Sequence, residues 1–358
     1  MPNQNSSPTL RRRLANFALR TTAVLTLLTL ILVAWITHRA SSYIIVPERR
    51  PTTAWHQDFL RKPAQHSLAI HPFSATSPDG VTLEALFIQA AHKPGDGERY
   101  QRIRRLLTKE NPALVPFLPH TSAHGTVLWL HGRNSIKENA LPIAERFVAA
   151  GYNFICFDAR AHGQSTGKYI TYGPREADDV TTVLDAAEEQ FARFHLKPFA
   201  AFGNSLGGAV ILQSLAREPR LRAGVSVSAF ADLNQLIKEH AHRKLPVPTA
   251  SLGHLVLKYA AWRANFNPFF ASPATHAQTI DVPVMIVHGQ KDHLIPPHHS
   301  EQIYNAIPHS NKTHRIIPDA NHRSVLSTGG DPLYADIIQF IHAALTKPSS
   351  SQPVAATY

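Results

Sequence analysis

Phe199-Ala200-Ala201-Phe202-Gly203-Asn204-Ser205-Leu206-Gly207-Gly208-Ala209 is the stretch that decides the fold. Four apolar residues read as a short buried strand, and the run of small residues after Ser205 reads as the start of a helix. Between them lies the pattern G-x-S-x-G. A serine on so sharp a strand-to-helix turn has its Oγ pushed out of the sheet, and glycines on either side let strand and helix approach closely. The helix start also aims backbone N–H groups and its positive dipole end at any oxyanion formed there. The plain alternative is a tight structural turn whose serine is incidental.

A serine needs a base, so a histidine and a carboxylate must follow. Val284-Met285-Ile286-Val287 runs into His288-Gly289-Gln290-Lys291-Asp292, which places a carboxylate just past a buried strand. Ile316-Ile317-Pro318-Asp319-Ala320-Asn321-His322 places a histidine after the next one. Upstream, His131-Gly132-Arg133-Asn134 directly follows the apolar run Thr126–Leu130, where a backbone amide is able to face the nucleophile. The expected site is therefore Ser205 as nucleophile, His322 as base and Asp292 as the acid that orients it. The backbone N–H groups of Leu206 and Arg133 form the expected oxyanion hole.

Working outward, apolar runs at Thr126–Leu130, Asn153–Phe157, Phe199–Gly203, Ala223–Ser228, Val282–His288 and Thr313–Ile317 alternate with helix-like stretches. Those stretches are 138–150, 175–195, 206–217, 298–306 and 332–346. The alternation predicts an α/β domain with a mostly parallel sheet covered on both faces. Ligands of such sheets bind at the carboxyl ends of the strands. Ser77-Pro78-Asp79-Gly80 marks a turn at the opening of the domain, placed at residues 75–346. A surface insertion with one short helix is expected at 92–124 and a helical cap at about 230–278, where Pro246, Pro248, Pro268 and Pro273 break the rhythm. Residues 39–74 read as a linker and 347–358 as a flexible tail.

With these motifs assembled, the chain resembles the α/β-hydrolase superfamily, near its prolyl-oligopeptidase-like and serine-aminopeptidase-like groups. The resemblance covers roughly residues 75–345. It includes Asp158-Ala159-Arg160-Ala161-His162-Gly163-Gln164-Ser165, similar to a D-x-R-G-x-G-x-S turn with Ala161 in the glycine position, and Tyr172-Gly173 followed by Glu176 and Asp179. The chain order Ser, Asp, His is the one this fold uses. The resemblance implies the α/β-hydrolase fold, a mechanism without cofactor or metal, and ester, thioester or peptide substrates.

From Thr21 to Thr37 the chain carries no charge, and about 17 residues is the lower limit for crossing a bilayer as a helix. Residues 21–38 are expected to be a transmembrane signal anchor, preceded by a basic stretch at 1–20 with Arg11, Arg12, Arg13 and Arg20. The positive-inside rule puts that end in the cytoplasm and the catalytic domain on the periplasmic or extracellular side. A cleaved signal peptide shares this pattern, but His38-Arg39-Ala40 sets bulky polar residues where small ones are wanted. The formal charge of +11 is concentrated here: residues 1–110 hold 15 lysines and arginines against 7 acids. A basic flank beside an apolar run suits anionic lipid, and nothing in the folded part forms a nucleic-acid stripe. The single cysteine, Cys156, allows no intrachain disulfide.

The remaining features read as structural. His288, His293, His298 and His299 cluster without metalloprotease spacing. Gly163 to Lys168 resembles a phosphate loop, but is one residue short and has Tyr169 in place of the magnesium-holding hydroxyl. Asp158, Asp232 and Asp319 are weaker acids for the site than Asp292. Leu252, Leu255, Val256, Tyr259 and Trp262 fall at helical spacing, as a cap helix that also walls an acyl pocket; Phe230, Phe269 and Phe270 are further wall candidates. The expected activity is hydrolysis of moderate-size or lipid-like carboxylic esters through an acyl-enzyme on Ser205. The alternatives are a peptidase, acylaminopeptidase or thioesterase with the same triad, and a non-catalytic membrane-anchored binding module.

Overall fold

A computed structural model describes residues 8–91, 98–110, 123–244 and 250–346. The apolar runs become strands β1 (Leu68–Thr76), β2 (Thr82–Ala90), β3 (Thr126–Leu130), β4 (Asn153–Phe157), β5 (Phe199–Asn204), β6 (Leu221–Val227), β7 (Val284–Gly289) and β8 (Lys312–Ile317). They form one sheet in the order β1-β2-β4-β3-β5-β6-β7-β8. The β1–β2 and β2–β4 pairs are antiparallel and all later pairs parallel. This is the α/β-hydrolase fold that the resemblance implied.

Helices link the strands: α1 (Pro8–Ile45), α2 (Ala54–Arg61), α3 (Glu98–Glu110), α4 (Leu141–Ala149), α5 (Glu176–Phe191), α6 (Leu206–Leu215), α7 (Leu233–Lys244), α8 (Ala250–Ala264), α9 (Pro273–Ala277), α10 (His298–Ala306) and α11 (Val325–Thr346). Because successive strand residues point to opposite faces, the central strands split their side chains between two cores. Leu128, Leu130, Ile155, Phe157, Phe199 and Ala201 pack toward α5, α6, α9 and α10. Val127, Trp129, Phe154, Cys156, Ala200 and Phe202 pack toward α3, α4 and α11. Strands buried on both faces must be apolar throughout, which is why these runs were continuous rather than alternating.

The N-terminal third differs from its sequence reading. Residues 39–74, expected as a linker, hold the end of α1, all of α2 and most of β1. The sheet therefore begins at Leu68, ahead of the expected boundary at 75. β1 is an edge strand with Pro72 in its middle; Ala69, Ile70 and His71 are all half-buried and only Phe73 to Thr76 alternate between buried and exposed, too short a stretch to mark a strand. α1 runs well beyond the expected 21–38. Its stretch Arg12–Ile45 is long and apolar enough to cross a membrane, and its window of highest hydropathy is exposed throughout. α11 is interrupted at Gly330 (φ 56°, ψ −157°), and Pro332 opens its second segment at the expected start of 332. Of the 92–124 insertion, α3 and residues 123–124 are described, and of the cap, α7, α8 and α9. The tail 347–358 lies outside the described residues.

Candidate active site

Ser205 sits between the last residue of β5 and the first of α6 with φ 56° and ψ −116°, a sparsely populated conformation for a residue with a Cβ. Its own N–H donates to the Val227 carbonyl at 2.7 Å, which fixes the turn. The flanking glycines are steric necessities. A Cβ on Gly203 would strike the Gly207 carbonyl, and one on Gly207 would strike the Leu130 carbonyl. Strand, turn and helix approach closely only without side chains there.

Asp292 follows β7 and His322 follows β8, and adjacent strands hold their loops together. Gln290 N–H donates to the Ile317 carbonyl at 3.0 Å and Lys291 N–H to the Ala320 carbonyl at 2.8 Å. Ser205 Oγ lies 2.9 Å from His322 Nε2, and His322 Nδ1 lies 2.7 Å from Asp292 Oδ2. An ionised carboxylate only accepts, so Nδ1 carries the proton and Nε2 presents its lone pair to the serine hydroxyl. Burial alone would raise the Asp292 pKa. Hydrogen bonds from His288 and His322, with the Ile295 N–H, outweigh it and hold the carboxyl well below the usual range. His288 is the partner that sequence reasoning missed. It is fully buried, with Nε2 2.8 Å from the Ile295 carbonyl and 3.3 Å from Asp292 Oδ2.

On the other side, Gly132 presses on Ser205: a Cβ there would lie 3.1 Å from Ser205 Cβ. Neither the Arg133 nor the Leu206 N–H donates to another described residue. The buried His131 explains the orientation of this loop. Its Nε2 accepts the Ala159 N–H at 3.1 Å, so its Nδ1 bears the proton and donates to the Gly132 carbonyl at 2.8 Å. Burial lowers its pKa and keeps the ring neutral. In a trans peptide C=O and N–H point opposite ways, so pinning the Gly132 carbonyl turns the Arg133 N–H away from His131. The Arg133 guanidinium has a separate task. It donates to the carbonyls of Tyr43 and Val46 at the end of α1.

The other acids have different partners. Asp158 accepts the Lys137 N–H at 2.8 Å and Lys137 Nζ at 2.9 Å. Asp232 accepts the Gln235 N–H at the start of α7, and Asp319 pairs with Lys291. In the phosphate-loop-like stretch, carbonyls of Gly163, Ser165 and Gly167 converge on the Arg49 guanidinium, the wrong polarity for a phosphate. His298 and His299 gather on Glu239 of α7 at 3.0 and 3.1 Å, a contact the sequence did not suggest. There His299 Nδ1 accepts the Ala231 N–H, so Nε2 holds a proton and faces the carboxylate as a donor. A metal-bound histidine has the reverse arrangement.

Ser205, Leu206, Arg133 and His322 open onto a cavity of about 1260 Å³. Beyond Ser205 it has an apolar arm under the cap, with Phe230, Ile237 and Val256. A second, arginine-rich arm holds Arg102, Arg146 and Asp331. Of the expected wall residues, Phe230 and Val256 line the cavity, whereas Leu255, Trp262, Phe269 and Phe270 are exposed.

A family model described as serine aminopeptidase, S33, matches residues 121–267 and 262–327. The protein YfhR of Escherichia coli K12 is 24% identical over 276 residues, 75% of this chain and 80% of YfhR. The peptidase YuxL of Bacillus subtilis 168 is 24% identical over 300 residues, 80% of this chain but 39% of YuxL. Among solved structures, the Pyrococcus furiosus esterase Pf2001 superposes with a TM-score of 0.60 at 20% identity, covering 84% of this chain and 99% of that one. The Pyrococcus horikoshii acylaminoacyl peptidase gives 0.54 at 13% identity, covering 84% and 45%.

Proposed function

Because the chain belongs to the serine aminopeptidase, S33, family and has the α/β-hydrolase fold, we propose that it is a serine hydrolase whose catalytic residues are Ser205, His322 and Asp292. The observation that carries this reading is the unbroken relay from Asp292 Oδ2 through His322 to Ser205 Oγ, at 2.7 and 2.9 Å. Ser205 Oγ attacks a carbonyl carbon as His322 Nε2 takes its proton, and the oxyanion rests on the Leu206 and Arg133 N–H groups. Collapse expels the leaving group, which takes the proton from His322. Water, deprotonated by the same nitrogen, then releases the acyl group from Ser205. The cycle balances with water alone.

The favoured substrates are carboxylic esters of moderate or lipid-like size. An aminopeptidase must hold a free α-ammonium near the scissile bond, which calls for an available carboxylate. Asp331 is the one acid among the described residues lining the cavity, and Arg102 and Arg146 already occupy it. The apolar arm suits an acyl chain instead. The domain is read as lying outside the cytoplasm, tethered by α1, with Arg12, Arg13 and Arg20 on the cytoplasmic flank.

The test is covalent labelling by a fluorophosphonate beside a panel of p-nitrophenyl esters, an aminoacyl p-nitroanilide and an acyl thioester. Wild type is expected to label and to cleave the esters fastest. Ser205→Ala should lose the label and about 10⁴-fold or more in turnover. A folded wild type that does not label would move the reading to a non-catalytic binding module, and faster anilide turnover to a peptidase.

A further inference from the structure

α1 does more than tether. Its last turns, Ile36, Ala40, Tyr43 and Ile44, line the same cavity as Ser205, opposite Gly253 and Val256 of the cap helix α8. Ile36 belongs to the uncharged run Thr21–Thr37. The apolar arm of the active site therefore reaches a residue of the membrane span.

α8 packs alongside this part of α1. Tyr259 meets His38, with ring centroids 6.3 Å apart, and Arg263 donates to Ser41 Oγ and Ser42 Oγ at 2.7 Å each. Contacts thus advance along both helices in the same direction. Leu255, one turn before Tyr259, falls level with the last turn of the span. The outward stripe of α8 is Leu255, Lys258, Tyr259 and Trp262, with Leu255 52% and Trp262 75% exposed, and Trp262 stacks on Tyr259. A cap helix facing water would be polar on this side. An apolar, aromatic stripe with one lysine able to reach headgroups is the composition of a helix face that enters the membrane interface beside a span. The uncharged part of α1, 17 residues or roughly 26 Å, is at the lower limit for a hydrocarbon core of about 30 Å, and an apolar collar beside its outer end extends the apolar surface there.

We propose that the exposed stripe of α8 enters the outer interface of the bilayer alongside α1, and that the apolar arm opens sideways between α1 and α8 into the lipid. The substrate is then an acyl ester dissolved in the membrane. Its chain trails along Ile36 and Ala40, its carbonyl reaches Ser205, and its leaving group occupies the arginine-rich arm. The substrate part rests on the ester hydrolase reading above; the docking surface does not.

The full chain is reconstituted in vesicles with an environment-sensitive fluorophore on Leu255→Cys or Trp262→Cys, and on Glu189→Cys of α5 as a water-facing control. Cys156 is fully buried, so the label goes to the introduced thiol. Emission at 255 and 262 is expected to shift to the blue and to be lost when the lipid acyl chains carry bromine, with no change at 189. In parallel, a long-chain ester is diluted in the membrane with ether-linked lipid at constant bulk concentration, and its turnover is expected to fall with its surface fraction. Emission indifferent to brominated lipid at both cap positions overturns the docking, and turnover that ignores surface fraction overturns the lateral entry. Quenching at both positions with no ester turnover keeps the docking surface and rejects the ester hydrolase reading instead.

Discussion

Among the residues around the site whose backbone conformations their side chains resist, Ser205 and Ala161 differ in purpose. Ser205 at φ 56° holds its strain because the turn between β5 and α6 needs it and the hydroxyl is useful there. Ala161 at φ 64° is buried in the turn after β4, where the resemblance pattern has glycine. A left-handed alanine costs roughly 1–2 kcal/mol, and a glycine recovers most of that less its own unfolded-state entropy. Ala161→Gly is therefore expected to stabilise the chain by on the order of 1 kcal/mol in urea unfolding, with turnover unchanged. A destabilised variant would mean that the Ala161 methyl contributes packing worth more than the strain. The residues named for the site were legible because each followed an apolar run and the sheet brings the ends of such runs together. The orienting histidines were not. His131 and His288 act through buried ring nitrogens whose partners, Ala159 and Ile295, are fixed by loop geometry rather than by any sequence pattern.

Between elements, the loops at the carboxyl end of the sheet are held by a buried ion pair. Lys137, in the short 3-10 turn before α4, is 3% exposed and donates to Asp158 at the end of β4, which is fully buried. Asp158 also accepts the Gln164 N–H at 2.9 Å, so one carboxylate joins the loop after β3 to the loop after β4. Burial alone would raise the Asp158 pKa, but Lys137 outweighs it and lowers it. Because the folded pKa lies below the unfolded one, this carboxylate's stabilisation is complete above the usual range near pH 4 and is lost as pH falls through the depressed value. Lys137→Met leaves two buried carboxylates, Asp158 and Glu138 at 2.9 and 3.2 Å from the same Nζ, without their cation and is expected to cost about 3–5 kcal/mol or more at pH 7. Burial then raises the Asp158 pKa, so the deficit should shrink as acid neutralises the carboxylate. Urea unfolding of both proteins between pH 7 and 4 checks this, and a constant deficit would place the loss in packing. The elements were read from the same physics that forms them. Doubly buried strands are continuously apolar and short, so their limits were visible to within a residue or two. β1 was not, since Pro72 interrupts this edge strand and only Phe73 to Thr76 alternate between buried and exposed.

At the scale of the whole molecule, what the sequence left unread is that α1 and the domain are one body. An apolar helix near the N-terminus states its own length and polarity, but nothing in residues 8–45 indicates contacts with residues more than a hundred positions away. Ile44 and Ile45 are buried, the Tyr172 hydroxyl donates to the Ile44 carbonyl at 2.7 Å, and the Ile170 N–H donates to the Ile45 carbonyl at 2.9 Å. Two buried isoleucines contribute about 1.5–3 kcal/mol each and the two hydrogen bonds about 1 kcal/mol each, so docking of α1 supports the domain by on the order of 5 kcal/mol. At about 2–4 °C per kcal/mol for a domain of this size, a chain beginning at Pro47 is expected to melt roughly 10–20 °C lower than the full chain in the same detergent. Ser205, His322 and Asp292 all remain, yet the Arg133 guanidinium loses both carbonyl partners and the cavity loses one wall. Turnover of a soluble ester should therefore fall through a raised KM together with a reduced kcat. An independent tether would give the opposite result: the same melting temperature and the same kcat/KM with and without α1. That outcome would mean that the contacts between α1 and the domain contribute nothing to either.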